Sequence, residues 1–250
     1  MIGLGSWIWP VLLAPFIGSF LGVIVTRVES PRAIVFGRSV CACCGTRIAA
    51  GDLVPVMSWV LLRGRCRFCT QPIGAFYPLI ELGALGIALW SASLFSDGLL
   101  WVSCGFGWAL LALATTDLKY FLLPDFLTLP LVPAGLLVAW ILNPPALLPN
   151  VIGAVLAYGF VVALRYVYWH WRRREGMGLG DAKLLAASGA WLSWNGLPSV
   201  ILIGALAGLA FALVERTRGG TLSLTNRVPF GTFLCLSTWI VWLYGPLTIG

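Results

Sequence analysis

Two aspartates and a cluster of cysteines stand out in a chain otherwise poor in reactive side chains. Only 9 of the 250 residues are Asp or Glu. An acid beside a long apolar run therefore needs a reason, because a charge buried in lipid is costly. Asp117 closes one such run in Thr115-Thr116-Asp117-Leu118-Lys119, and Asp181 opens another directly after Gly176-Met177-Gly178-Leu179-Gly180. Two carboxylates brought together can share a proton and activate a water between them, which is aspartyl-protease chemistry. The glycines ahead of Asp181 let backbone or a substrate strand come close to it. The plainer alternative is that each acid caps a helix or pairs with Lys119 or Lys183. Spacing alone leaves both readings open.

The cysteines point to a metal. Five of the seven fall between Cys41 and Cys69, while Cys104 and Cys235 lie alone in apolar runs. Cys41 and Cys44 form one CxxC, Cys66 and Cys69 another, and two such knuckles supply four thiolates to a tetrahedral zinc. Four thiolates leave no open position for water, so the expected role is structural. Cys43 adds an ambiguity, since it can replace Cys41 or Cys44 in the set. A loop this short has little core of its own, and metal would give it most of its stability.

The elements that must position these residues are membrane helices. Sixty per cent of the chain is apolar and 10% charged, with mean hydropathy +0.94, far from the roughly one-quarter charged residues of a soluble domain. The expected fold is an all-α integral membrane protein of about eight transmembrane helices. A first helix over 1–26 precedes a cytoplasmic zinc-binding loop domain over 27–74, and a seven-helix membrane domain over 75–250 carries the aspartates. The seven spans run Ala75–Ser96, Leu99–Thr116, Asp125–Leu142, Asn150–Trp169, Ala182–Trp194, Pro198–Val214 and Pro229–Leu247. With a periplasmic N-terminus, all 16 Lys and Arg fall in the inside loops Arg27–Gly74, Asp117–Pro124, His170–Asp181 and Glu215–Val228 or, for Arg165 and Lys183, within about a turn of their membrane ends, as the positive-inside rule requires. The net charge of +7 thus reports topology rather than a nucleic-acid partner. Asp117 and Asp181 then share the cytoplasmic membrane face.

Gly178-Leu179-Gly180-Asp181-Ala182-Lys183-Leu184 resembles the GxGD signature of type IV prepilin peptidases, and Asp117 ahead of Leu123-Pro124-Asp125-Phe126-Leu127-Thr128-Leu129-Pro130 is similar to that family's other aspartate motif. The paired CxxC loop, Tyr77-Pro78-Leu79-Ile80-Glu81-Leu82, Gly18-Ser19-Phe20-Leu21 and Val228-Pro229-Phe230-Gly231 resemble the bifunctional bacterial branch. The resemblance implies Asp117 and Asp181 as catalytic residues and Cys41, Cys44, Cys66 and Cys69 as zinc ligands. It implies an inner-membrane enzyme that cleaves the short basic leader of type IV prepilins or type II secretion pseudopilins. The same branch N-methylates the new amino terminus with S-adenosylmethionine, and Glu81, inside a span, is a candidate for that site. The chain departs from the pattern at Gly22, where Asn is usual, at Cys41-Ala42-Cys43-Cys44, which lacks the usual Pro, and at Thr232, in place of a common Pro. None of these departures is expected to touch the aspartates.

Other chemistry is hard to assemble. HExxH is absent and His170, the one histidine, reads as an interfacial residue beside Trp169 and Trp171. Asp125 reads as a helix cap, and Lys183 as a carboxylate partner or a snorkelling lysine. The competing readings are a zinc-bearing membrane scaffold of a secretion or pilus system and a transporter using both aspartates as proton relays.

Overall fold

Long apolar runs leave the backbone one way to pair its N–H and C=O groups away from water within a single segment, which is the α-helix. The computed structural model describes residues 7–28, 32, 37–41, 43–172, 178–217 and 228–247. Among these the regular elements are α1 (Ile8–Thr26), α2 (Met57–Leu61), α3 (Phe76–Leu94), α4 (Asp97–Tyr120), α5 (Asp125–Leu142), α6 (Leu147–Arg172), α7 (Leu179–Thr217) and α8 (Phe230–Tyr244), with 3-10 turns at Ala50–Leu53 and Pro144–Ala146. Extended pairing among the described residues is limited to isolated bridges between Val40 and Arg47 and between Arg65 and Pro72.

Six helices, α1 and α3 to α7, are long and apolar enough to cross a membrane, against the eight crossings read from the sequence. Two features account for the difference. α8 has 15 residues, short of the roughly 20 that span a hydrocarbon core. The expected segments Ala182–Trp194 and Pro198–Val214 form one element of 39 residues, interrupted where Ser193 adopts φ 59° and ψ 178°. That positive φ breaks the helical ladder, and Ser193 Oγ accepts the Asn195 backbone N–H at 3.4 Å, the bond an N-cap serine makes to the segment that follows. Elsewhere agreement is close. α5 starts and stops at Asp125 and Leu142 as expected, while α4 continues to Tyr120, placing Asp117 in its last turn rather than in a loop. The parts of the basic loops at 173–177 and 218–227, including Gly176 and Met177, lie outside the described residues.

The chain divides into two compact units, 1–112 and 113–250. In the first, α1 lies directly on α3, so close that a β-carbon on Gly18 would stand 2.6 Å from the Glu81 Cα. Trp108 donates its indole N–H to the Ala84 carbonyl at 3.0 Å. In the second unit α5, α6 and α8 all pack on α7. Trp191 of α7 donates to the Leu131 carbonyl of α5, and Asn150 of α6 donates to the Ala190 carbonyl of α7, each at 2.8 Å. Gly153 and Gly189 let α6 and α7 touch backbone to backbone, since a β-carbon on Gly189 would lie 2.4 Å from the Gly153 carbonyl carbon. Such small-residue contacts are how helices gain van der Waals packing in lipid, where burial of apolar surface supplies no drive.

Gly189→Val is therefore expected to lower the unfolding midpoint in detergent by several degrees, an overpacking cost of about 1–3 kcal/mol. Gly159→Ala, facing open space, should leave the midpoint unchanged or slightly raised. Equal midpoints for the two variants would contradict the α6–α7 contact.

Candidate functional site

The last turn of α4 and the first turns of α7 and α8 converge on one spot. Asp117, 6% exposed, has its Oδ2 met by the Thr232 backbone N–H at 2.8 Å and the Thr232 hydroxyl at 3.2 Å. Both donors come from the start of α8, where the first backbone N–H groups lack an i−4 partner and can serve an anion; the Thr232 N–H is shared with the Pro229 carbonyl at 3.2 Å. Gly231 makes the approach possible, as a β-carbon there would lie 3.0 Å from the Asp117 carboxyl carbon and 2.9 Å from Leu123. Leu123, in the turn after α4, also packs on Gly180, whose β-carbon would meet it at 3.0 Å. Leu123 thus wedges α7 and α8 against the end of α4. Asp181, half-buried in the first turn of α7, receives the Gly178 backbone N–H and lies within electrostatic range of Asp117. Cys235 of α8 is buried within range of both carboxylates. A β-carbon on Gly178 would stand 3.6 Å from Asp181 Oδ2, an ordinary contact, so the close approach that requires glycine in this run is that of Gly180 to Leu123.

Two expectations change here. Thr232 contacts Asp117 directly, so that departure from the family pattern does touch an aspartate. Sequence reasoning noted the substitution but had no signal for the contact, since the partners lie 115 residues apart. Asp125 does not cap α5 through its side chain. Pro124 holds the cap position with no side-chain bond, and Asp125 pairs instead with Lys183 Nζ at 2.6 Å. Lys183 therefore does hold a carboxylate, that of Asp125. His170 is exposed on α6, stacked on Tyr166 with ring centroids 6.4 Å apart, as an interfacial residue would be.

The cysteine loop folds as two matching knuckles. The Cys41 N–H donates to the Thr46 carbonyl at 2.9 Å and Gly45 N–H returns to the Cys41 carbonyl at 3.0 Å. Likewise the Cys66 N–H donates to Gln71 at 2.9 Å and Thr70 N–H to Cys66 at 3.0 Å. Gly45 and Thr70 occupy the same left-handed position, at φ 66° and 56°. The sulfurs of Cys41, Cys44, Cys66 and Cys69 all lie within 4.8 Å of one another, with Cys41 and Cys69 3.7 Å apart. A tetrahedral zinc with Zn–S bonds of about 2.3 Å holds its sulfurs about 3.8 Å apart, so the four thiols fit that ion. Cys43 is exposed and outside the cluster, which resolves the ambiguity in the first CxxC. Hydrogen bonds from the Thr46 hydroxyl and backbone bring the Cys44 thiol down to about 6. The Cys69 and Phe68 backbone N–H groups lower Cys66. Both shifts favour the thiolate that a metal requires, while burial and hydrogen bonds with Cys66, Cys44 and Cys41 push Cys69 the other way, up to about 12. Beside the second knuckle, Arg67 binds Asp52 (Nε to Oδ2, 2.9 Å) and holds its carboxyl below the usual range.

Between the cysteine loop and the helices α1 and α3 lies a cavity of about 380 Å³ whose lining includes Ser19, Asp52, Trp59, Tyr77 and Glu81. Glu81 is buried and accepts the Val56 backbone N–H at 2.7 Å and a Ser19 hydrogen bond. Gly64, at φ 66°, leaves room for the Trp59 ring, 2.8 Å from where a β-carbon would sit. Gly22 does the same for Tyr77, at 3.0 Å, so this departure shapes the cavity wall.

Fold and site together define a class: a helical chain with several membrane-length helices, two aspartates at helix ends and a four-thiol loop. Residues 12–95 match the Bacterial Peptidase A24 N-terminal domain, and residues 104–213, which include both aspartates, match the Type IV leader peptidase family. The prepilin leader peptidase/N-methyltransferase of Burkholderia pseudomallei (strain 1026b) is 46% identical over 198 residues, 79% of this chain, and the match spans 64% of that relative's length. The protein of the same name from Aeromonas hydrophila is 36% identical over 269 residues, covering 94% of this chain and 89% of the relative. That from Dichelobacter nodosus is 35% identical over 265 residues, covering 94% and 90%. No solved structure matches. The chain belongs to the type IV leader peptidase family.

Metal analysis of freshly purified, reduced protein is expected to find about one zinc per chain. Cys66→Ser should lose it and expose the loop to protease, and Cys43→Ser should keep it. Retention of full zinc by Cys66→Ser would refute the four-thiol site.

Proposed function

We propose that this protein cleaves the short basic leader from type IV prepilins or type II secretion pseudopilins, with Asp117 and Asp181 as the catalytic pair. The observation that carries this reading is the convergence of the two carboxylates at helix ends, with a backbone N–H aimed at each, that of Thr232 at Asp117 and that of Gly178 at Asp181. In the reaction, one carboxylate takes a proton from a water lying between the pair. The water oxygen attacks the scissile carbonyl carbon, and the other acid, protonated, donates to the carbonyl oxygen. The C–N bond then breaks as the amine takes up a proton. The distribution of Lys and Arg supports a topology with the 27–74 zinc loop domain and the Asp117 end of α4 on the cytoplasmic side of a bacterial inner membrane. In that topology the Ser193 break divides α7 into two crossing segments, giving eight with α8, seven of them within 75–250.

The same protein is proposed to N-methylate the new amino terminus in the cavity beside Glu81. The cavity suits S-adenosylmethionine by size, by the Glu81 carboxyl for a sulfonium or ammonium, and by the Trp59 and Tyr77 rings for a cation or a base. When bound, S-adenosylmethionine supplies the methyl group. Glu81 would orient the amine, held in place itself by Val56 and Ser19.

Purified protein in detergent should remove the leader from a prepilin, and Asp117→Asn or Asp181→Asn should each abolish cleavage, since losing one member of a cooperating pair costs about as much as losing both. Asp125→Asn should retain most activity, because an exposed ion pair contributes little. A non-catalytic scaffold would tolerate both aspartate changes. Glu81→Gln keeps an oxygen for the Val56 N–H, and so is expected to stop methylation, measured by mass of the product, while cleavage continues. Normal methylation by Glu81→Gln would remove that residue from the site.

A further inference from the structure

The bonds around Thr232 carry an inference that rests on the reading of Asp117 as a catalytic acid. Thr232 Oγ1 has two acceptor-bearing neighbours, the Ala114 carbonyl at 3.0 Å and Asp117 Oδ2 at 3.2 Å. A hydroxyl has one hydrogen to give and lone pairs to receive. When Asp117 is ionised, the hydroxyl can turn its hydrogen to Oδ2. When Asp117 is protonated on Oδ2, that acid proton can be donated to Oγ1, while the hydroxyl hydrogen turns to the Ala114 carbonyl. That carbonyl lies within α4, three residues before Asp117, and a carbonyl oxygen has a second lone pair for the hydroxyl beyond the one its helical bond uses. The Thr232 backbone N–H, at 2.8 Å, stays on Oδ2 in both arrangements. Nothing has to move but one hydrogen.

We infer that Thr232 is a positioning residue whose hydroxyl reverses its hydrogen bond as Asp117 gains and loses its proton, holding the carboxyl in one place through the reaction cycle. A donor that could not accept, in place of the hydroxyl, would leave the acid proton on Oδ2 with no partner at this position. The titratable groups that face Asp117 from the packed elements are Asp181 on α7 and Cys235 on α8. Neither offers a neutral hydroxyl that both donates and accepts. The proton shuttled here remains the one that Asp117 exchanges with water and substrate, and the hydroxyl gains and loses none.

The experiment compares Thr232→Val, Thr232→Ser and Asp117→Asn in leader cleavage across pH, with unfolding midpoints as a check on integrity. Valine keeps the shape and the backbone N–H but removes the oxygen. It is expected to lower kcat roughly 10- to 100-fold, the worth of a hydrogen bond to a charged group, with KM nearly unchanged. Because the hydroxyl serves both forms of Asp117, kcat should fall by a similar factor on both limbs of the pH profile. Serine restores the oxygen and should recover most of the loss. Unchanged kcat in Thr232→Val, loss confined to one limb, or serine as poor as valine would each overturn the inference. With Asp117→Asn inactive, those results leave the role of Asp117 standing and remove only that of Thr232. An active Asp117→Asn removes both.

Discussion

A carboxylate inside an apolar helical protein has to be met by hydrogen-bond donors, because an unmet charge there is prohibitively costly. Asp117 is met by the start of α8, and much of the second unit follows from that requirement. The donors are helix-terminal N–H groups, so α8 must begin at the carboxylate. Gly231 must be a glycine for the backbone to come so near. Leu123 then fills the space between the end of α4 and the starts of α7 and α8, which fixes where Asp181 stands. The same convergence that satisfies a buried acid creates a pair of acids.

Satisfying Asp117 from helix termini has a consequence for chemistry. Helix ends are the places in a membrane protein where backbone polar groups are available without breaking a ladder. A site built there gains donors and keeps the helices whole. The Ser193 break follows the same logic at the far end of the first segment of α7. A residue with φ 59° interrupts the ladder, and its own hydroxyl begins to repair the exposed N–H groups of the next segment.

The loop of the first unit answers a different constraint. Its buried residues are few, Cys66 and Pro55 among them, so it cannot hold itself together by apolar burial. Paired backbone bonds within each knuckle and four convergent sulfurs take that role, and the Val56 N–H to Glu81 bond ties the loop to α3. Glu81 is thereby both an anchor and a wall of the adjoining cavity. Val56 and Ser19 take up two of the carboxyl's acceptor positions and leave others for a ligand.

The sequence by itself determined what depends on local composition and spacing. Apolar runs dictated helices, and at α5 they dictated both ends. The two CxxC pairs dictated the knuckles, and the scarcity of acids singled out Asp117, Asp181 and Glu81. Tertiary structure alone decided what depends on distant partners. It brought Thr232 to Asp117, gave Asp125 to Lys183 rather than to the N-terminus of its own helix, left Cys43 out of the thiol cluster, and joined two expected spans into one interrupted element. The first three are choices among donors or neighbours far apart in the chain, and the last turns on the backbone of Ser193. Periodicity and motif spacing report on residues a turn or two away, whereas contacts such as Thr232 to Asp117 are set by how whole helices pack.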